Sequence, residues 1–146
     1  MSVYLDSSLI CKLYLVEADS PSVIKWVQGL QQPISFNSLH ELEFHNAIQL
    51  HIFRQSLPLG SAQRLEQTIQ TDLTAGVLNR TTLPWNLVFA EAMRLSVAFT
   101  SRLGNRSLDI LHVAGAIVSE CDSFATFDER QSKLAKAAGL KLTKIS

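Results

Sequence analysis

The chain predicts an α/β fold built on a mostly parallel sheet of four to five strands. Short apolar runs alternate with longer stretches of helical period along its whole length. Two of the short runs end in aspartate: Val3-Tyr4-Leu5 before Asp6, and Phe124-Ala125-Thr126-Phe127 before Asp128. In parallel sheets the functional crevice lies beyond the carboxyl ends of the strands, which is where both acids would stand. With 146 residues, 47% hydrophobic and 18% charged, the chain can bury one core, and a single domain over residues 1–146 is expected. No internal repeat, low-complexity tract or linker divides it.

The elements follow in order. Val3-Tyr4-Leu5 reads as a buried strand. Ser7 or Ser8 can cap a helix running to about Val16. Ser20 followed by Pro21 marks the start of a second helix, which uses Val23, Ile24, Trp26, Val27 and Leu30 and ends near Gly29. Pro33-Ile34-Ser35-Phe36 is a second strand. Ser38 opens a helix to about Arg54, and Ser38-x-x-Glu41 matches a capping box. After the loop Leu57-Pro58-Leu59-Gly60, Ser61 starts a helix to about Leu73. Residues 78–83 read as a strand, and a long helix follows from Trp85 to about Leu103. Beyond the loop Gly104-Asn105-Arg106, Ser107 caps a helix from Leu108 to about Ser119. Residues 123–127 form the fourth strand. Asp128 or Glu129 opens a helix to Ala138, which Gly139 ends, and residues 140–145 form the last strand.

The bulk numbers exclude several functions. Net charge is zero, from 13 Lys+Arg and 13 Asp+Glu, so the chain is no generic basic nucleic-acid binder. The charge is unevenly spread. Residues 102–146 carry seven bases and five acids, against six bases and eight acids before them; this is a basic rim suited to a phosphodiester or, as charge alone favours, scattered solvated charge. The opening residues lack a basic n-region, and no apolar run is long enough to span a bilayer. Cys11 and Cys121 form neither a metal-ligand spacing nor a disulfide framework, so buried thiols in a reducing cytoplasm are expected.

Four acids carry the chemistry. Asp6 and Asp128 end strands, while Glu43 and Asp109 interrupt apolar helical stretches. Carboxylates in apolar surroundings are costly unless paired or bound to a metal, and four without matching bases nearby in sequence suggest a hard divalent cation. Each acid alone has a structural reading. Asp6 could cap the first helix, Asp128 the helix that follows it, and Asp109 could complement a helix dipole. Glu43 shares a face with Leu39, Ala47 and Leu50, which sets it inward, whereas Glu41 belongs to the capping box. His40, His45 and His51 share one helix with no partner at zinc-ligand spacing, and His112, one turn after Asp109, could hydrogen-bond near the acids.

These residues resemble the PIN-domain ribonucleases, and among them the VapC-type toxins of bacterial toxin–antitoxin pairs. Val3-Tyr4-Leu5-Asp6-Ser7-Ser8 is similar to the family's opening strand and first acid. Glu43-Phe44-His45-Asn46-Ala47-Ile48 resembles its second-acid helix. Arg106-Ser107-Leu108-Asp109-Ile110-Leu111-His112-Val113-Ala114 is the most specific stretch. Thr126-Phe127-Asp128-Glu129-Arg130, with Lys133-Leu134-Ala135 and Gly139-Leu140, resembles the closing motif. The match spans the chain in order, with no diagnostic motif between about residues 55 and 100.

The resemblance implies a PIN-like three-layer α/β/α sandwich whose four acids, Asp6, Glu43, Asp109 and Asp128, bind Mg²⁺ or Mn²⁺ and cleave single-stranded RNA. Asp6 and Asp109 would be the primary ligands. Ser7 and Thr126 would orient a carboxylate or a water, and Arg130 would either contact phosphate or be an ordinary helix-surface arginine. A small antitoxin would occlude the site, and homodimers or toxin–antitoxin hetero-oligomers would form. The alternatives are a PIN nuclease of RNA processing without an antitoxin, and a catalytically silent protein- or RNA-binding module. A haloacid-dehalogenase-type phosphatase would need a second Asp where Ser8 stands. A receiver domain would need an acidic pair and a late lysine, and a P-loop has no Gly-rich run to carry it.

Overall fold

The computed structural model describes residues 2–145. They divide into two compact units, residues 2–6 with 82–145, and residues 7–81. Five strands pair in parallel among the described residues, three in one sheet and two in another. The α/β class with parallel pairing is thus the one the sequence predicts.

The first unit holds β1 (Val3–Leu5), β4 (Ser123–Ala125) and β5 (Lys141–Leu142), in the order β1-β4-β5. Val3 stands opposite Ser123 and Leu5 opposite Ala125, while Ser123 faces Lys141 on the other side. A long helical segment leads into this unit: α5 (Trp85–Leu95), a π-helical turn (Ser96–Thr100) and α6 (Ser101–Leu103). It starts after Pro84, which cannot donate a backbone hydrogen bond, and stops at Gly104, whose φ of 66° suits a residue without a Cβ.

Helix α7 (Ser107–Val118) packs against α5, and α8 (Glu129–Ala137) against α7. The core is Tyr4, Val88, Leu95, Val113, Ala114, Phe124 and Leu134, all nearly or fully inaccessible, with Tyr4 stacked on Phe124. Small residues along α7, Ala114, Gly115 and Ala116, permit that close packing. A Cβ on Gly115 would stand 3.2 Å from Leu83 and 3.5 Å from the Tyr4 hydroxyl.

The second unit contains α1 (Ser7–Lys12), α2 (Ser20–Leu30), β2 (Ile34–Phe36), α3 (Ser38–Phe53), α4 (Ser61–Ala75) and β3 (Leu78–Arg80). Ile34 pairs with Leu78 and Phe36 with Arg80. Helix α1 ends at Lys12, earlier than expected. The chain turns there, and the Lys12 ammonium binds Glu17 and Asp19 while Tyr14 is drawn to Asp72 and packs edge-on against Phe44. Burial, and the Asp72 carboxylate that accepts its proton, push the Tyr14 phenol well above its ordinary range.

Cap assignments change at α2 and α3, among others. The N-cap of α3 is Asn37, not Ser38: its side chain accepts from the backbone N–H groups of Leu39 and His40, and His40 Nδ1 accepts from the Asn37 N–H. Glu41, freed from the cap, instead grips Arg80 with both oxygens at 2.7 Å. Ser20 is the first residue of α2, not its cap, and its hydroxyl accepts from the Glu17 N–H. Cys11 and Cys121 are half-buried thiols, and burial raises the Cys121 pKa. No helix among the described residues is long and apolar enough to cross a membrane.

Candidate functional site

The end of β1 sets the first acid. The Asp6 N–H donates to the Ala125 carbonyl at 3.1 Å, extending the β1–β4 pairing one residue past the strand. Asp6 therefore stands at the carboxyl edge of the sheet, only 4% exposed, beside the residue that follows Ala125. That residue is Thr126, whose hydroxyl donates to Asp6 Oδ2 and accepts from the Asp128 N–H at 3.0 Å. One hydroxyl thus fixes a carboxylate and the backbone that carries the next acid.

Asp128 is the N-cap of α8, as one of its structural readings held, and Oδ1 accepts from the Gln131 N–H at 2.8 Å. Its Oδ2 faces the Arg106 guanidinium at 3.9 Å. Asp109 lies in the first turn of α7, and its Oδ2 accepts from Arg106 Nε at 3.1 Å. The buried Gln131 closes the circuit by donating from Nε2 to the Asp109 carbonyl at 3.4 Å. Asp6, Asp109 and Asp128 thereby belong to one polar network within the first unit.

Glu43 belongs to the second unit. The buried stripe of α3 is Leu39, His40, Phe44 and Ile48. Glu43 is half-buried at its margin, and Leu50, expected to share an inward face with it, is exposed. A helix residue one position off the stripe turns by about 100°, which accounts for the half-exposure. Glu43 Oε1 accepts from the Ser7 hydroxyl at 2.8 Å. His112 is buried and pairs through Nδ1 with the Tyr4 hydroxyl at 2.7 Å, a contact in the core. The side chain of Arg130 is exposed, and its carbonyl accepts from Asn105 Nδ2 at 3.2 Å. Ser107 is the first residue of α7, which begins after Arg106 in extended conformation without a side-chain cap.

Three participants were not singled out by sequence reading: Arg106, Gln131 and Asn105. Arg106 stands three residues before Asp109, the spacing of a helical ion pair. Asp128-x-x-Gln131 has the spacing of a capping box. Asn105 is legible only in three dimensions, since its partner is a carbonyl 25 residues away.

Carboxylate oxygens are the donors a hard divalent cation takes, so the chemistry of the set fits Mg²⁺ or Mn²⁺. A cation already stands against two of them, the Arg106 guanidinium. Among the described residues, no three His, Cys, Asp or Glu side chains converge closely enough to hold a metal. An apolar cavity of about 230 Å³ between α5 and α7, lined by Phe89, Met93 and Leu111 among others, contains no acid and is separate from this network.

No protein-family model matches the chain, and no curated protein matches it. Among solved structures it is similar to that titled "Crystal Structure of FitAcB from Neisseria gonorrhoeae". The TM-score is 0.67, and the match covers 97% of this chain and 96% of that one at 16% sequence identity. A likeness at that identity shows the fold, here a PIN-like α/β arrangement.

Proposed function

We propose that the chain is a metal-dependent endoribonuclease for single-stranded RNA and the toxin of a toxin–antitoxin pair, working in the cytoplasm. Its partners would be a small antitoxin and a second copy of itself. The observation that carries this reading is the network joining Asp6, Asp109 and Asp128 where β1 and β4 end, the edge at which parallel sheets place their chemistry.

Asp6 and Asp109 would be the primary ligands of Mg²⁺ or Mn²⁺, with Asp128 and Glu43 completing the set directly or through water. When bound, such an ion would lower the pKa of a water and offset charge on the phosphoryl oxygens. The protein's own groups supply order. Thr126 holds the Asp6 carboxylate, the first turn of α8 holds Asp128, and the Ser7 hydroxyl, next after Asp6 in the chain, holds Glu43. The exposed Arg130 is free in solvent to meet a phosphate. Water attacks phosphorus in line and the 3′ oxygen leaves as a hydroxyl, so the products carry a 5′-phosphate.

The test is cleavage of a mixed tRNA and rRNA pool by purified protein with Mg²⁺, with Mn²⁺ and with EDTA. Discrete products that need metal are expected, and Asp109→Asn, which removes a charged ligand of the ion, should slow their formation at least about a hundredfold, the scale on which loss of one preorganised transition-state stabiliser acts. Full metal-dependent cleavage by a folded Asp109→Asn protein would sink the site assignment. No cleavage with any ion, from folded wild-type protein free of antitoxin, would overturn the nuclease reading.

A further inference from the structure

The acids of the first unit do not lie bare. Arg106 Nε stands 3.1 Å from Asp109 Oδ2, and its NH2 group stands 3.9 Å from Asp128 Oδ2. One guanidinium therefore spans two of the three aspartates. The root of this arginine is fixed. Gly104 closes the preceding helix by donating to the Thr100 carbonyl at 2.7 Å. Asn105 is tied to the Arg130 carbonyl in the first turn of α8 at 3.2 Å, and the Arg106 carbonyl accepts from the Ile110 N–H of α7 at 3.0 Å. The backbone on either side of Arg106 is thus anchored to the same two helices that carry Asp109 and Asp128. The side chain itself is 71% exposed and has room to swing away.

The energetics suit a placeholder. Two neighbouring carboxylates repel, and a cation between them relieves that repulsion. An exposed arginine–carboxylate contact contributes little, because water screens it and the long side chain loses freedom in making it. A divalent ion carries twice the charge in a smaller volume and can displace it. We propose that Arg106 is a built-in counter-cation that competes with the divalent metal for Asp109 and Asp128. This rests on the metal-dependent reading above and goes beyond it, because it makes metal uptake and departure of the arginine a single event.

Mn²⁺ binding to the full chain, followed by the loss of free-ion electron paramagnetic resonance signal, tests this without reference to activity. Arg106→Gln removes the charge and keeps most of the side-chain length. Arg102→Gln removes a charge of the same unit whose guanidinium lies over the Phe99 ring, and so corrects for the general field. Arg106→Gln should bind Mn²⁺ about two- to fivefold more tightly than wild type, the range expected from losing an exposed ion pair as competitor, and Arg102→Gln should match wild type. Binding by Arg106→Gln alone, with none by wild type, would support the proposal more strongly still. Equal affinities in wild type and Arg106→Gln, or equal gains in the two variants, would overturn the competition while leaving the metal site standing. No binding by any of the three proteins would overturn both.

Discussion

Thr126 shows how one side chain organises the acids of the first unit. Its hydroxyl has a single proton, given to Asp6, and its lone pair takes the Asp128 N–H. Asp6 is almost fully buried, so the hydrogen bond it receives offsets part of the cost of keeping a carboxylate out of water. Thr126→Val keeps the shape and removes both bonds. It should lower unfolding stability by about 1–3 kcal/mol, the cost of stranding buried polar groups, while Thr126→Ser restores most of it. Urea unfolding of the three proteins reads this directly, and a valine variant as stable as wild type would contradict the relay. Thr126 and Ser7 were named for this role only through the family resemblance of the stretches around Asp128 and Asp6, since pattern alone read Ser7 as a helix cap. Arg106 was only half legible, because its spacing to Asp109 is that of any helical ion pair and its reach to Asp128 exists only in three dimensions.

At the scale of elements, sequence pattern located the strands and helices but was less secure at their ends. Ser38-x-x-Glu41 and Asn37-x-x-His40 are overlapping patterns one residue apart, and only the register of α3 decides between them. The register that buries His40, Phe44 and Ile48 makes Asn37 the cap and releases Glu41 to Arg80. The same shift moves Glu43 to the margin of the buried stripe. Helix α1 stopped short for a related reason, since the contacts of Lys12 and Tyr14 that end it are made with residues the apolar period does not register. The cap assignment has a direct consequence. Asn37→Ala should cost about 1 kcal/mol of stability, the usual worth of an N-cap, whereas Ser38→Ala should change it by no more than a few tenths. Thermal unfolding of both variants tests it, and the reverse order would return the cap to Ser38.

For the molecule as a whole, the alternation of short apolar runs and helical stretches was enough to give the α/β class and the parallel pairing. The division of five strands into sheets of three and two was not legible, because adjacency in a parallel sheet is set by crossovers between residues far apart in the chain. The candidate site follows the same rule. Asp6 and Asp128 share a network because β1 and β4 are neighbours, although 120 residues separate Asp6 from Thr126. A cation bound by acids so distant in sequence has no equivalent site in the unfolded chain, so its binding free energy appears as folding stability. At an ion concentration a hundred times Kd the gain is about 2.7 kcal/mol. For a chain of this length that corresponds to a rise of about 5–10 °C in Tm. Mn²⁺ should therefore raise the Tm of wild-type protein on this scale, EDTA should reverse the rise, and Asp109→Asn should lose most of it. A rise of equal size in Asp109→Asn would place the ion elsewhere on the molecule, and no rise in wild-type protein at saturating Mn²⁺ would argue that the carboxylates hold no metal in the folded chain.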